Sequence, residues 1–223
     1  MLTVHHLNNS RSQRILWLLE ELGVPYELRR YERDPKTMLA PPALRAVHPL
    51  GKSPVITDGD ATVAESGAIV EYILDTYGEG RMRPAPGTAE RRAYSYWLHY
   101  AEGSAMPPLV MKLVVSQVPK APMPFFARPI ARSIAGRLQS GFTDPNIARA
   151  VAHMDAALAA TGWFAGDGPT GADVMMSFPA EASVARGGGG AAANLAAFVA
   201  RIHARPAWQR ALERGGPYKL LGG

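Results

Sequence analysis

The sequence predicts two kinds of architecture in one chain: an α/β unit ordered β-α-β, α, β-β-α, then an all-helical region. Three observations predict it. Short β-compatible runs alternate with helical periodicity over the first 77 residues. Gly78–Gly87, with three glycines and two prolines, then breaks the pattern. Every periodic stretch beyond it has helical spacing. The expected division is an N-terminal domain at 1–78, a linker at 79–87 and a helical C-terminal domain at 88–223.

Leu2–Leu7 is a short apolar run edged by Asn8, Asn9 and Ser10, which reads as a strand. Arg14–Leu22 places Ile15, Leu16, Leu18, Leu19 and Leu22 on one helical face, and Gly23 and Pro25 stop it. Glu27–Tyr31 reads as a second strand, parallel to the first through a right-handed crossover. Pro42–Val47 is a short helix. Pro54–Thr57 and Thr62–Ala64 are strands joined by the turn Asp58-Gly59-Asp60, hence antiparallel. Glu65–Tyr77 is a helix. Beyond the linker, Thr88–Val118 reads as one long helix with a kink at Pro107–Pro108. Pro119–Pro129, with four prolines, is irregular, and Ile130–Ser140 is helical. Thr143-Asp144-Pro145 reads as a capped helix start, and the helix runs to about Ala160. Thr170-Gly171-Ala172-Asp173 is a capping-box variant opening a helix to about Arg186. Gly187–Gly190 breaks the chain, Ala191–Ala204 resumes it as helix, and Pro206 opens a last short helix.

Composition narrows the chemistry. The 223 residues include no cysteine. Disulfides, thiolate zinc sites and a cysteine nucleophile are excluded, so any thiol chemistry uses a thiol carried by a ligand. The formal net charge is +5, but the 24 basic residues are interleaved with 19 acidic ones, and no basic run has the length of a nucleic-acid tract. The mild positive field favours a small anionic ligand. Met1–Arg14 has no secretory pattern, and the apolar stretch Leu109–Val115 is broken by Lys112. The expectation is a cytoplasmic protein with no nucleic-acid or membrane partner.

Three places carry candidate chemistry. Asn8-Asn9-Ser10-Arg11-Ser12 lies between a strand and a helix N-terminus, where unpaired amides and the positive dipole end collect. A hydroxyl there caps the helix or donates to an anion above it. In His48-Pro49-Leu50-Gly51-Lys52-Ser53-Pro54, a proline precedes a short strand. With Pro54 cis, the Ser53 main chain turns outward to pair with a peptide-like ligand, and Lys52 answers a carboxylate. The same run is also an ordinary turn. Glu65-Ser66 opens a helix, either as a first-turn acid and cap or as a site for an ammonium and a carboxylate on one ligand end.

Taken together, the runs HHLNNSRSQRILWLLEELGVPYELRRYERD and HPLGKSPVITDGDATVAESGAIVEYIL resemble the N-terminal domain of the glutathione S-transferase family. The resemblance is to the bacterial and fungal Ser-type branch with SR-x-x-RI-x-WLLEEL. WFAGDGPTGADVMMSFPAEA and ARPAWQRALERGGPY resemble its helical domain. This implies a thioredoxin-like N-terminal domain, glutathione as co-substrate, a homodimer and a detoxification role. It also implies site roles: Ser10 near the glutathione sulfur, with Asn9 and Arg11 as rivals; Lys52 at the glycyl carboxylate; Ser53 and a cis Pro54 at the cysteinyl residue; Glu65 and Ser66 at the γ-glutamyl end. Gly67 stands where many relatives have arginine, Ser53 where valine or isoleucine is frequent, and the Tyr-type residue is missing.

The activity implied is conjugation of the glutathione thiolate to small apolar electrophiles. Peroxidase or disulfide reductase chemistry at the same site, and a non-catalytic binding module on the same fold, are the alternatives. Met111, Met123, Phe125 and Phe126 are candidate electrophile-pocket residues, with core packing or a dimer contact as the other reading. Tyr94, Trp97 and Tyr100 are core or pocket edge. His5 and His6 should face opposite sides of a strand. His99, His153 and His203 lack a ligand partner at helical spacing, so no metal is expected.

Overall fold

The computed structural model describes residues 1–185, 192–216 and 218. The expected break at Gly187–Gly190 lies outside the described residues. The first seven elements are β1 (Thr3–Leu7), α1 (Gln13–Leu22), β2 (Glu27–Tyr31), α2 (Pro42–Val47), β3 (Val55–Asp58), β4 (Ala61–Ala64) and α3 (Ser66–Tyr77). The sheet order is β2-β1-β3-β4. β1 runs parallel to β2, with Thr3 opposite Glu27 and Leu7 opposite Tyr31. It runs antiparallel to β3, with Thr3 opposite Thr57 and His5 opposite Val55, and β3 pairs antiparallel with β4. β1 is thus central, and all five of its residues are buried. α1 ends where Gly23 takes the left-handed conformation (φ 67°) and its N–H bonds the Leu19 carbonyl.

The remainder is helical: α4 (Ala89–Tyr100), α5 (Met106–Gln117), α6 (Arg128–Leu138), α7 (Asp144–Leu158), α8 (Gly171–Ala185), α9 (Ala193–His203) and α10 (Pro206–Gly215). The fold is a thioredoxin-like domain followed by a helical one. Thr88 caps α4 by accepting the Arg91 amide at 3.1 Å.

Prolines shape the helices at three points, two of them differently from expectation. α4 and α5 are one rod, but a π-turn at Ala101–Ala105 widens it directly before Pro107 and Pro108. Two consecutive prolines remove two helix donors and crowd the preceding carbonyls, and the wider turn gives that crowding room. Thr143 does not cap a new helix. The chain passes from α6 through a π-turn at Gln139–Thr143 into α7, and the Thr143 hydroxyl donates back to the Gln139 carbonyl at 3.3 Å. α8 runs through Pro179. That proline cannot bond the Met175 carbonyl one turn earlier, and Arg14 Nη1 donates to it instead at 2.8 Å.

One core joins sheet and helices. α1 is buried nearly all round, and its Trp17 meets Trp208 of α10 edge-on at 5.4 Å between ring centroids. α8 starts so close to α3 and α4 that a Cβ at Gly171 would fall 2.8 Å from Leu74 and Val70 side chains and 2.9 Å from the Tyr94 hydroxyl. Among the described residues, no helix is long and apolar enough to cross a membrane.

Candidate active site

The turn between β1 and α1 begins at Asn9, which adopts φ 48°, a left-handed conformation asparagine tolerates better than most residues. The turn tucks Ser10 and Ser12 inward, both nearly fully buried. Neither hydroxyl caps α1, since Ser12 at the cap position makes no side-chain cap bond. They form a chain instead. Ser10 Oγ lies 2.7 Å from Ser12 Oγ and 3.4 Å from Ser53 Oγ, and Ser12 Oγ lies 2.8 Å from His6 Nδ1. Burial, with help from the charge of Arg30, pushes His6 down to about 4, while a bond to the Gly215 carbonyl opposes the shift. At neutral pH the ring is uncharged. Its one proton lies toward Gly215, so Nδ1 accepts from Ser12. The Ser12 proton is then committed, and the proton of Ser10 is the one free to turn toward the cavity.

β1 and β3 pair only as far as His5 and Val55. Past that point the Ser53 side chain closes the ladder: its hydroxyl accepts the Leu7 amide at 3.2 Å and donates to the His5 carbonyl at 3.0 Å. The Ser53 main chain therefore stands at the open end of the sheet, before a cis peptide to Pro54. A cavity of about 400 Å³ lies over Ser10, Lys52 and Ser53. Arg11, Arg33 and Arg45 add cationic walls, and Met106, Val110, Leu113 and Phe178 add apolar ones. Arg33 is held in place by the Asn8 and Met38 carbonyls.

Glu65 sits outside this cavity. It lines a neighbouring one of about 690 Å³ with Glu71, Glu102 and Met175. Arg11 and Glu102, paired at 3.1 Å, stand between the two. Glu65 is exposed and adopts φ 71°, a conformation that costs a non-glycine residue about 1–3 kcal/mol. Ser66 is buried at the start of α3 and Pro54 is buried beside Ser53; neither lines either of these two cavities. The structure thus brings Ser10, Lys52 and Ser53 together and sets Glu65 and Ser66 one ion pair away.

Three of the four expected pocket residues fall elsewhere. Phe125 and Phe126 are 84% and 67% exposed and line no described cavity. Their segment, Phe125–Ala127, leads into α6 on the outer surface. Met123 is half-buried and also lines none. Met111 lies at the rim, in a side cavity shared with Arg11, Glu102 and Val114. Tyr94 and Trp97 are core, and Tyr100 edges a separate cavity between α5 and α7.

Residues 10–76 match the family model described as glutathione S-transferase, N-terminal domain. Glutathione S-transferase 3 of Schizosaccharomyces pombe is 38% identical over 183 residues, or 80% of this chain and 73% of that protein. This chain belongs to the glutathione S-transferase family. Glutathione S-transferase 1 of Saccharomyces cerevisiae is 32% identical over 193 residues, covering 83% of the transferase described here and 82% of the yeast protein. The crystal structure of a glutathione S-transferase from Actinobacillus pleuropneumoniae superposes with a TM-score of 0.83 at 34% identity, covering 99% of this chain and 95% of that one. The transferase is an enzyme of that family.

Sequence reasoning missed several residues of this transferase's site. Ser12 and His6 form the support behind Ser10. Strand alternation separates His6 from His5, but nothing in the pattern says what His6 meets. Arg14 was legible as the one charge at the start of an apolar helical face. It is 1% exposed. It holds the Met175 carbonyl and Glu102, so it fixes the acid that pairs with Arg11. Burial lowers its pKa, and the Glu102 charge opposes that shift.

Proposed function

We propose that the transferase binds glutathione across the two cavities and activates its thiol with Ser10. The reading rests chiefly on the Ser10–Ser12–His6 chain, which leaves one mobile proton at the cavity floor. Lys52, with Arg45 and Arg33, answers the glycyl carboxylate, and the Ser53 main chain pairs with the cysteinyl residue as an added strand. Glu65 answers the γ-glutamyl ammonium, and Ser66 with the start of α3 answers its carboxylate. Asn9 is the lesser rival because it stands exposed at the rim, and Arg11 because Glu102 already takes its charge. A domain division at 1–78, 79–87 and 88–223, and a homodimer, belong to the same reading.

A free thiol has a pKa of about 8.5. Lowering it by two units takes about 2.7 kcal/mol. A hydrogen bond to a charged group contributes about 1.5–3 kcal/mol, and the helix N-terminus adds about 0.3–1 kcal/mol. Ser10 and the start of α1 are therefore enough. When the thiolate forms, the Ser10 proton turns from Ser12 to sulfur, because a bond to an ionised acceptor is about twice as strong as a neutral one. The thiolate then attacks an electrophilic carbon held against Met106, Val110, Leu113 and Phe178. A carbon–sulfur bond forms and the leaving group departs with its electron pair.

Ser10→Ala should raise the pKa of bound glutathione by about one to two units. A thiolate absorbance titration unchanged by the substitution would remove Ser10 from this role. Glu65→Ala should weaken glutathione binding about tenfold by calorimetry, with the unfolding midpoint unchanged; equal affinity would refute its assignment. The cationic wall of Arg33, Arg45 and Lys52 exceeds what one glycyl carboxylate needs. This favours, as a second reading, a disulfide substrate that carries its own carboxylates. Turnover measured on an aryl halide, a peroxide and a glutathione mixed disulfide separates the two.

A further inference from the structure

The stretch Leu113–Thr143 holds Lys120, Arg128, Arg132 and Arg137 and no acidic residue. All four cations are exposed. Phe126, Ile130, Ile134, Leu138 and Phe142 recur at intervals of four through the short helix before α6, α6 itself and the π-turn after it, which sets them along one side of the rod. Each is between 49% and 67% exposed, and Phe125 beside them is 84% exposed. α6 buries only Ala135. No described element covers the stripe.

A row of six large apolar side chains in water exceeds the scattered exposure normal for a monomer. Its chemistry identifies the cover. A short helix with phenylalanines and branched aliphatics along one side, Arg137 next to that side, Arg128 and Arg132 farther round on long side chains, and no acid has the composition of one that lies in a membrane interface. The arginines match anionic headgroups, each contributing about a fivefold gain in partitioning. A second copy is a poor match, because a two-fold contact through this segment would bring its cations toward their own copies with no acid of the segment to answer them. We propose that the surface formed by Phe125, Phe126, Ile130, Ile134 and Leu138, with Arg128, Arg132 and Arg137, docks the enzyme on an anionic lipid bilayer. This departs from the expectation of no membrane partner. That expectation looked for a long apolar run, whereas an interfacial helix needs only an apolar side. The proposal does not depend on the assignment of the glutathione site.

The test is flotation with vesicles of phosphatidylcholine containing phosphatidylglycerol, against vesicles of phosphatidylcholine alone. The protein should float with the former and remain below with the latter, and high salt should weaken the association. Phe125→Ser with Phe126→Ser and Ile130→Ser should reduce partitioning about tenfold or more. Arg128→Ala with Arg132→Ala and Arg137→Ala should reduce it about a hundredfold. Every position changed is exposed, and circular dichroism checks that each variant is folded. No flotation with anionic vesicles overturns the proposal, as do variants that float like the parent. It is equally overturned if the apolar triple variant lowers the mass in light scattering without changing flotation, because the face would then join copies of the chain.

Discussion

Asp173→Ala should lower the free energy of unfolding by about 3–5 kcal/mol. Asp173 is fully buried at the start of α8. One carboxylate oxygen accepts the Phe164 amide at 2.8 Å; the other accepts the Thr170 amide at 2.8 Å and the Thr170 hydroxyl at 2.7 Å. Alanine would orphan two buried amides and a hydroxyl at once, each costing about 1–3 kcal/mol. The bond to Phe164 also carries long-range consequence. That ring packs against Trp97 at 4.7 Å and Phe198 at 5.1 Å, so the carboxylate ties the loop before α8 to α4 and α9. Asp173→Asn keeps one acceptor oxygen but sets an NH₂ against a donor, and should fall between. Urea unfolding measures both. An alanine variant within about 1 kcal/mol of the parent would show that water replaces these bonds at little cost.

A second large effect should appear with pH. His6 titrates near 4 in the folded chain and near 6.5 unfolded. The unfolded state therefore binds more protons between those values. Stability is unaffected above about 6.5, falls as pH drops through this window and stops falling below about 4. The total loss is roughly 3 kcal/mol. Asp173 works the other way. Burial pushes it up to about 6 against the pull of its donors, so it regains stability as pH falls below that value. The His6 contribution must be isolated by subtraction. His6→Asn keeps a polar partner for Ser12 but does not titrate. The stability difference between parent and variant should move by roughly 3 kcal/mol in the variant's favour from pH 7 to pH 4. Parallel pH profiles for the two proteins would mean that His6 is not neutral in the fold.

Much of the architecture was legible because period and punctuation agreed. Ile15, Leu16, Leu18 and Leu19 mark α1, and Gly23 ends it where a left-handed residue is needed. Asp58-Gly59-Asp60 marks the β3–β4 turn. Prolines were read less well, since their local effect depends on what else can reach an orphaned carbonyl. Nothing near Pro179 reveals that Arg14, 165 positions earlier, supplies the missing donor. Thr143 had the composition of a cap, yet the helix before it never ended. The cavity wall was only partly legible for a related reason. Met106, Val110 and Leu113 line it from the helix ahead of the proline-rich stretch, whereas the conspicuous Phe125-Phe126 pair faces outward. Ser10, Lys52 and Ser53 were readable because each sits at the end of a strand or turn, where chain direction fixes which end of the sheet it reaches.

The widened turn at Ala101–Ala105 has a geometric corollary. It holds one residue beyond the ordinary complement, and one residue corresponds to about 100° of rotation about the axis. Everything from Met106 onward is thereby phased relative to Glu102 and the first half of the rod. Were the same residues wound as ordinary helix, Met106 and Val110 would be spun off the roof over Ser10 by that angle, whereas deleting Gly103 would let the turn close to ordinary width and leave them in place. The shape available to the second substrate is therefore set as much by the winding between Tyr100 and Met106 as by the identity of those residues.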